Sequence, residues 1–274
     1  MKRKKIGRRL VNVLLFLLSI VYIIPVWMVF VNSVKRPAEA NVMGVSFPSD
    51  GVIRLGNYLD VIEKGGIVRA FMNGLLEASL SVIIIIVTAS ACAFYIARVK
   101  SKISNGLFYM FIMGLVVPVA FIPTYLVLNV LHLLNTYTGI ILIFTTYGLP
   151  MAVFLYTGFI KTVPRELDEA AFIDGCGPIR LFYQIIFPLL KPVTMTIFIL
   201  SFIGAWNDVM IPMFFSNSGK WALPLTVYNF YGGYVKSWNY IFADIIITIS
   251  PLLLVYIFAQ KYVIAGMTAG AVKG

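Results

Sequence analysis

From residue 103 to residue 160 the chain contains no Asp, Glu, Lys or Arg. A bilayer's hydrocarbon core, about 30 Å thick, is crossed by about 20 helical residues rising 1.5 Å each. This run is too long for one crossing and must turn back on itself. The turn falls at 132–138, HLLNTYT, which divides the run into predicted spans at 103–128 and 137–160. Composition agrees: 60% of residues are hydrophobic, 12% are charged and the mean hydropathy is +0.92. Soluble domains carry about twice that share of charge. The expected fold class is an all-α polytopic membrane protein.

Four more apolar runs complete the pattern. Residues 10–31 follow six basic residues, Lys2, Arg3, Lys4, Lys5, Arg8 and Arg9. The run is longer than a signal-peptide core and has no small-residue cleavage site, so it reads as an uncleaved first span. The second, 70–97, is closed by Arg98, Lys100 and Lys102. The fifth and sixth are 193–215 and 240–262. Residues 1–274 thus read as one transmembrane domain of six helices. Cytoplasmic segments are enriched in Lys and Arg. With the N-terminus inside, the remaining inner cations are Lys161, Arg165, Arg180, Lys191, Lys261 and Lys273. Only Lys35, Arg36, Arg54, Lys64, Arg69, Lys220 and Lys236 fall outside. Both termini and the 161–192 loop are therefore expected in the cytoplasm.

That loop is punctuated like a folded element. Pro164 suits a first helical turn, and Glu166, Asp168 and Glu169 complement the positive end of a helix. Gly175 and Gly177 stop the helix, and Pro178 opens a second one ending near Pro188. A polar helix–turn–helix between two spans has the character of a docking element.

Several function classes are excluded or weakened. The net charge of +11 sits at the ends of apolar runs rather than on a face with stacking aromatics, so nucleic acid is not expected as a partner. Cys92 and Cys176 are too few for a disulfide framework, and His132, the only histidine, has no neighbour at metal-ligand spacing. No GxxxxGK[ST] loop is present, so ATP hydrolysis is not expected on this chain. Convergent catalytic groups are also missing, and the chain reads as a non-catalytic subunit with no metal or cofactor of its own.

The sequence Glu169-Ala-Ala-Phe-Ile-Asp-Gly175, continuing to Phe182, Ile185, Pro188 and Pro192, resembles the EAA loop of binding-protein-dependent ABC importer permeases. Pro118, Pro123, Leu134-Asn-Thr136, Gly139, Trp206-Asn-Asp208 and the 260–274 tail are similar to carbohydrate-uptake permeases of the maltose type. The resemblance implies a six-span MetI-like fold in a bacterial inner or plasma membrane. It further implies a heterodimer with a second permease subunit, two cytoplasmic ATPase subunits holding ATP and Mg, and an extracytoplasmic sugar-binding protein. Under it, Glu169, Ala170, Ala171, Asp174, Gly175, Phe182 and Pro188 couple to the ATPase: Glu169 makes polar contacts, the alanines permit close approach and Asp174 caps or braces the turn. Cys176 and Gly177 depart from the family's usual residues at the turn.

Polar groups inside spans are costly and tend to face a bundle interior or water. Asn73 and Glu77, four apart, share a helix face. Glu77 departs from the family pattern, and two readings stay open for it: a wall of the translocation path, or a solvated position near the outer surface. Asn207, Asp208 and Asp244 invite the same pair, the resemblance favouring a structural role for Asp208. The aromatic outer loop 216–239 offers Trp221, Tyr228, Tyr231 and Tyr234 either to an interfacial belt or to the binding protein. An importer for a non-sugar solute is the alternative function. A secondary transporter or channel would need more deep ionisable relays and an internal repeat.

Overall fold

A computed structural model describes residues 2–231 and 237–271. Every regular element among them is helical, with no strand. The long or well-defined helices are α1 Lys2–Ser33, α2 Gly56–Lys64, α3 Ile67–Arg98, α4 Lys102–Val116, α5 Phe121–Val130, α6 Tyr137–Ile160, α7 Glu166–Ile173, α8 Pro178–Leu189, α9 Lys191–Asn207, α10 Met210–Phe215 and α11 Trp238–Ala271. Among the described residues, α1 (from Val11), α3 and α6 are long and apolar enough to cross a membrane. The predicted third span is not one straight rod. It is α4 and α5, meeting at 118° across residues 117–120. The Pro118 ring cannot donate to the helical ladder and lets the chain turn there. The predicted fifth span likewise ends at Asn207, and α10 restarts after Asp208 and Val209.

The chain divides into two compact units, residues 1–70 with 223–253, and residues 71–222 with 254–274. In the first unit α1 keeps its apolar side chains outward along residues 11–26, with Tyr22 77% exposed, as a lipid-facing helix does. Its end is buried from Val31 to Val34 and held by polar side chains. Asn32 Nδ2 donates to the Gly44 carbonyl at 2.7 Å, and Lys35 Nζ to Asn32 Oδ1 at 3.1 Å. Asn57 in α2 donates to the carbonyls of Ser33 (2.8 Å) and Lys35 (3.0 Å), and its Oδ1 accepts from Asn239 at 3.1 Å. Asp50 lies between Arg36 and Arg54. The hydrogen bond from Arg54, then that from the Val52 amide, hold its carboxyl well below the usual carboxylate range.

The core of the second unit is built where α3, α6, α8 and α9 meet. Ala89 and Ala93 of α3 and Ala152 of α6 let backbones approach, and Tyr156, Ile160, Leu181, Ile186 and Ile197 fill the space between them. Tyr156 is fully buried and donates its hydroxyl to Thr194 at 2.9 Å. α4 packs along α6, and Gly114 makes that closeness possible. A Cβ there would lie 2.9 Å from the Pro150 ring.

Asn57 satisfies two buried carbonyls at once, so Asn57→Ala is expected to lower stability by about 2 kcal/mol. The check is the thermal unfolding midpoint of the purified protein in detergent, with Asn57→Gln as the milder control. An unchanged midpoint for Asn57→Ala would show that water replaces these bonds at no cost.

Candidate functional site

The 161–192 segment folds as two short helices about a glycine turn. Pro164 falls two residues before the helix rather than in its first turn. Gly175 has φ +79°, a backbone conformation that side chains with a Cβ adopt only with strain, and it turns the chain out of α7. α8 then contains a π-helical stretch, Leu181–Ile186, before meeting α9 at 75°.

One ion pair fixes α7 to the membrane-spanning bundle. Arg98, the last residue of α3, places Nε 2.7 Å from Asp168 Oδ2, an ion-pair contact rather than an aligned hydrogen bond. Its Nη2 donates to Asp168 Oδ1 and to the Val163 carbonyl, each at 3.2 Å. Arg165 Nη2 adds a longer bond, 3.4 Å, to the Ala97 carbonyl. With side-chain exposures of 10% and 13%, the Arg98–Asp168 pair is screened only weakly by water.

The expected coupling residues separate into two sets. Ala171 (3% exposed) and Phe182 (6%) face inward, Ala171 in the core described above and Phe182 against the rings of Phe94, Tyr183 and Phe187. Both side chains pack the segment against the rest of its unit. Glu169, Ala170, Asp174, Gly175 and Pro188 are exposed. The Glu169 carboxylate has no partner among the described residues. Asp174 braces the turn through its backbone N–H, which donates to the Ala170 carbonyl at 3.0 Å, and not through its side chain. Sequence reasoning missed the exposed apolar side chains beside them: Phe172 (55%), Ile173 (86%), Ile179 (75%) and Tyr183 (56%). The signal was present as apolar residues inside a polar loop. It also treated Arg98 only as the close of a span.

The polar residues expected along the path are placed differently from one another. Asn73 is engaged on all sides. Its Nδ2 donates to the carbonyls of Gly219 (3.2 Å) and Trp221 (3.1 Å), and its Oδ1 accepts from Tyr137 at 2.8 Å. Glu77 is not at a solvated position. It is 1% exposed inside the chain, with Oε1 unpartnered. Asn207 is exposed at the end of α9. Asp208 Oδ1 accepts from the Ile211 amide at 2.7 Å, capping α10. Asp244 is buried against the Thr226 hydroxyl at 2.8 Å. Of the outer aromatics, Tyr228 and Tyr231 are exposed, Trp221 is partly buried, and Tyr234 lies outside the described residues.

Residues 85–269 match the family of binding-protein-dependent transport system inner membrane components. The chain belongs to that family. The inner membrane component is 37% identical over 279 residues to the multiple sugar-binding transport system permease protein MsmG of Streptococcus mutans, covering 99% of each chain. It is 32% identical over 270 residues to the melibiose/raffinose/stachyose import permease protein MelC of Bacillus subtilis, covering 97% of each. Its fold matches a chain in the crystal structure of a bacterial ABC transporter involved in the import of the acidic polysaccharide alginate. That TM-score is 0.82 at 20% identity, over 96% of this chain and 98% of that one. The expected MetI-like importer permease fold is thereby borne out, and the inner membrane component is a multi-pass membrane protein.

Breaking the Arg98–Asp168 pair leaves Asp168 largely buried without its cation, a loss of about 3 kcal/mol. Arg98→Gln is therefore expected to speed amide hydrogen exchange across 166–173 by about a hundredfold, with Arg98→Lys intermediate. Exchange at the wild-type rate in Arg98→Gln would show that core packing alone holds α7.

Proposed function

We propose that this chain is the permease subunit of an ATP-driven importer of a sugar or oligosaccharide. The observation that carries the reading is end-to-end similarity to proteins named for the transport of sugars and oligosaccharides. The subunit is non-catalytic. It forms half of the translocation path, and a second permease subunit supplies the other half. Two cytoplasmic ATPase subunits hold ATP and Mg and drive it, and an extracytoplasmic binding protein delivers the sugar.

The described geometry supports a mechanical role for 161–192. A coupling element must present a surface to the ATPase and transmit force without bending. The exposed apolar set Phe172, Ile173, Ile179 and Tyr183, next to the unpartnered Glu169, supplies the surface. Arg98–Asp168 and the inward Ala171 and Phe182 supply the stiffness. Movement of an ATPase groove would then carry α7 and α8 as a rigid body and displace α6 and α9. Asn73 acts as an internal pin and Asp208 as a helix cap at the path. The basic clusters at 2–9, 98–102 and 161–191 support an orientation with both termini and this element in the cytoplasm. Six crossings result when α4–α5 and the α8–α9 pair each count as one broken span and α11 as the last. Trp221, Tyr228, Tyr231 and Tyr234 would meet the binding protein.

Ile173→Glu and Glu169→Lys are each expected to release the ATPase subunits on affinity purification and to lower uptake at least about tenfold, with normal insertion. Gly175→Pro should do the same, because its ring fixes φ near −65° where +79° is needed. Retention of the ATPases and normal uptake in all three would remove the coupling assignment. Ligand binding by the cognate binding protein over mono- to trisaccharides tests the sugar itself.

A further inference from the structure

A pocket of about 550 Å³ lies in the second unit where three helix ends come together: the close of α3, the start of α4 and the link from α6 to α7. Lys100, Lys102, Lys161 and Arg165 line it, joined by Ser101 and Asn105, and no carboxylate does. None of the four cations makes an ion pair among the described residues, Asp168 being taken by Arg98. Lys161 Nζ rests 5.2 Å from the centre of the Phe108 ring, and Arg165 Nη2 reaches the Ala97 carbonyl at 3.4 Å. Four like charges around one hollow repel one another, and an anion among them turns that repulsion into attraction.

The surroundings say which anion. α3 and α6 are long and apolar enough to cross a membrane, and both end at this pocket, which therefore lies where hydrocarbon gives way to water. Basic pockets between membrane helices at that depth suit anionic headgroups. Beginning next to Lys102, Ile103 (69% exposed), Met110 (51%) and Met113 (61%) run along one face of α4 at helical spacing. Gly106 lies on the same face, and a Cβ there meets nothing within 4 Å, so the stripe is open. At 1.5 Å per residue it rises about 15 Å from Ile103 to Met113, the depth of one leaflet's hydrocarbon. A free phosphate makes no use of that stripe, and an acyl chain does.

We propose that this pocket seats the headgroup phosphate of an anionic phospholipid, with Lys100, Lys102, Lys161 and Arg165 around it and an acyl chain along Ile103, Met110 and Met113. The start of α4, capped by Ser101, adds the positive end of a helix to the same charge. A lipid held there ties together the ends of α3, α4 and α6. The site needs only the membrane setting and does not depend on the sugar-importer reading.

The full chain, purified in detergent with whatever subunits accompany it, is titrated with dioleoyl phosphatidylglycerol and with dioleoyl phosphatidylcholine. Bound lipid is counted by native mass spectrometry. The wild type should bind the anionic lipid at least about tenfold more tightly than the zwitterionic one. Lys161→Gln should weaken anionic-lipid binding about fivefold, and the triple change Lys100→Gln, Lys102→Gln and Lys161→Gln about a hundredfold, which abolishes the preference. Glutamine at Lys64, Lys191 and Lys220 removes as much charge elsewhere and should leave the preference intact. A preference retained by the pocket triple variant overturns the site. If that variant fails to insert, unchanged binding in Lys161→Gln overturns it instead. Inorganic phosphate competing at the same concentration as the lipid overturns the lipid assignment, because the chain then contributes nothing. No preference in the wild type also overturns it, and loss of accompanying subunits from the triple variant would then assign the pocket to an acidic protein surface.

Discussion

Hydrocarbon offers a peptide group no hydrogen-bond partner, and the architecture of this chain follows from that constraint. Wherever the backbone lies among apolar side chains alone, as through α1, α3 and α6, it is continuous helix. Where the helix is interrupted, something else takes over the freed groups. Asp208 accepts from the Ile211 amide, and Asn73 donates to the Gly219 and Trp221 carbonyls in and just after a single 3₁₀ turn. The interruptions are where polar chemistry enters an otherwise uniform wall.

The second unit combines tightly held and interrupted elements. The 161–192 segment reaches the bundle through a largely buried ion pair, an alanine and a phenylalanine, all of which resist small displacements. At 117–120 and 208–209, by contrast, the helices are broken and their backbone is already free of the regular ladder.

Much of this was legible in the sequence. Apolar runs located α1, α3 and α6, and the Glu169–Gly175 spacing marked the turn out of α7, because apolar length and glycine placement act locally. The 118° bend did not show itself in advance. A proline reports that a helix loses a hydrogen bond, and neighbouring packing decides whether that becomes a kink or a corner. The inward facing of Ala171 and the full engagement of Asn73 were equally invisible, since their partners lie far along the chain. Glu77 looked interesting for its charge, yet Ser201 and Gly204, which carry no charge and little bulk, are among the residues of α9 that border an internal cavity in the second unit. Small residues record open space only once the helices around them are placed.

The π-helical stretch Leu181–Ile186 has a consequence for how this element can vary. A π turn holds one residue more than an α turn, so it acts as a local insertion that the helix absorbs without losing its direction. It sets the rotational phase between Phe182, turned inward, and everything that follows through Ile186 and Leu190 into α9. Removing one residue here would tighten the turn and rotate the downstream face by about 100°, from the 3.6-residue period. The side chains could stay the same and still point the wrong way. Length, more than identity, is what this part of the chain has to conserve.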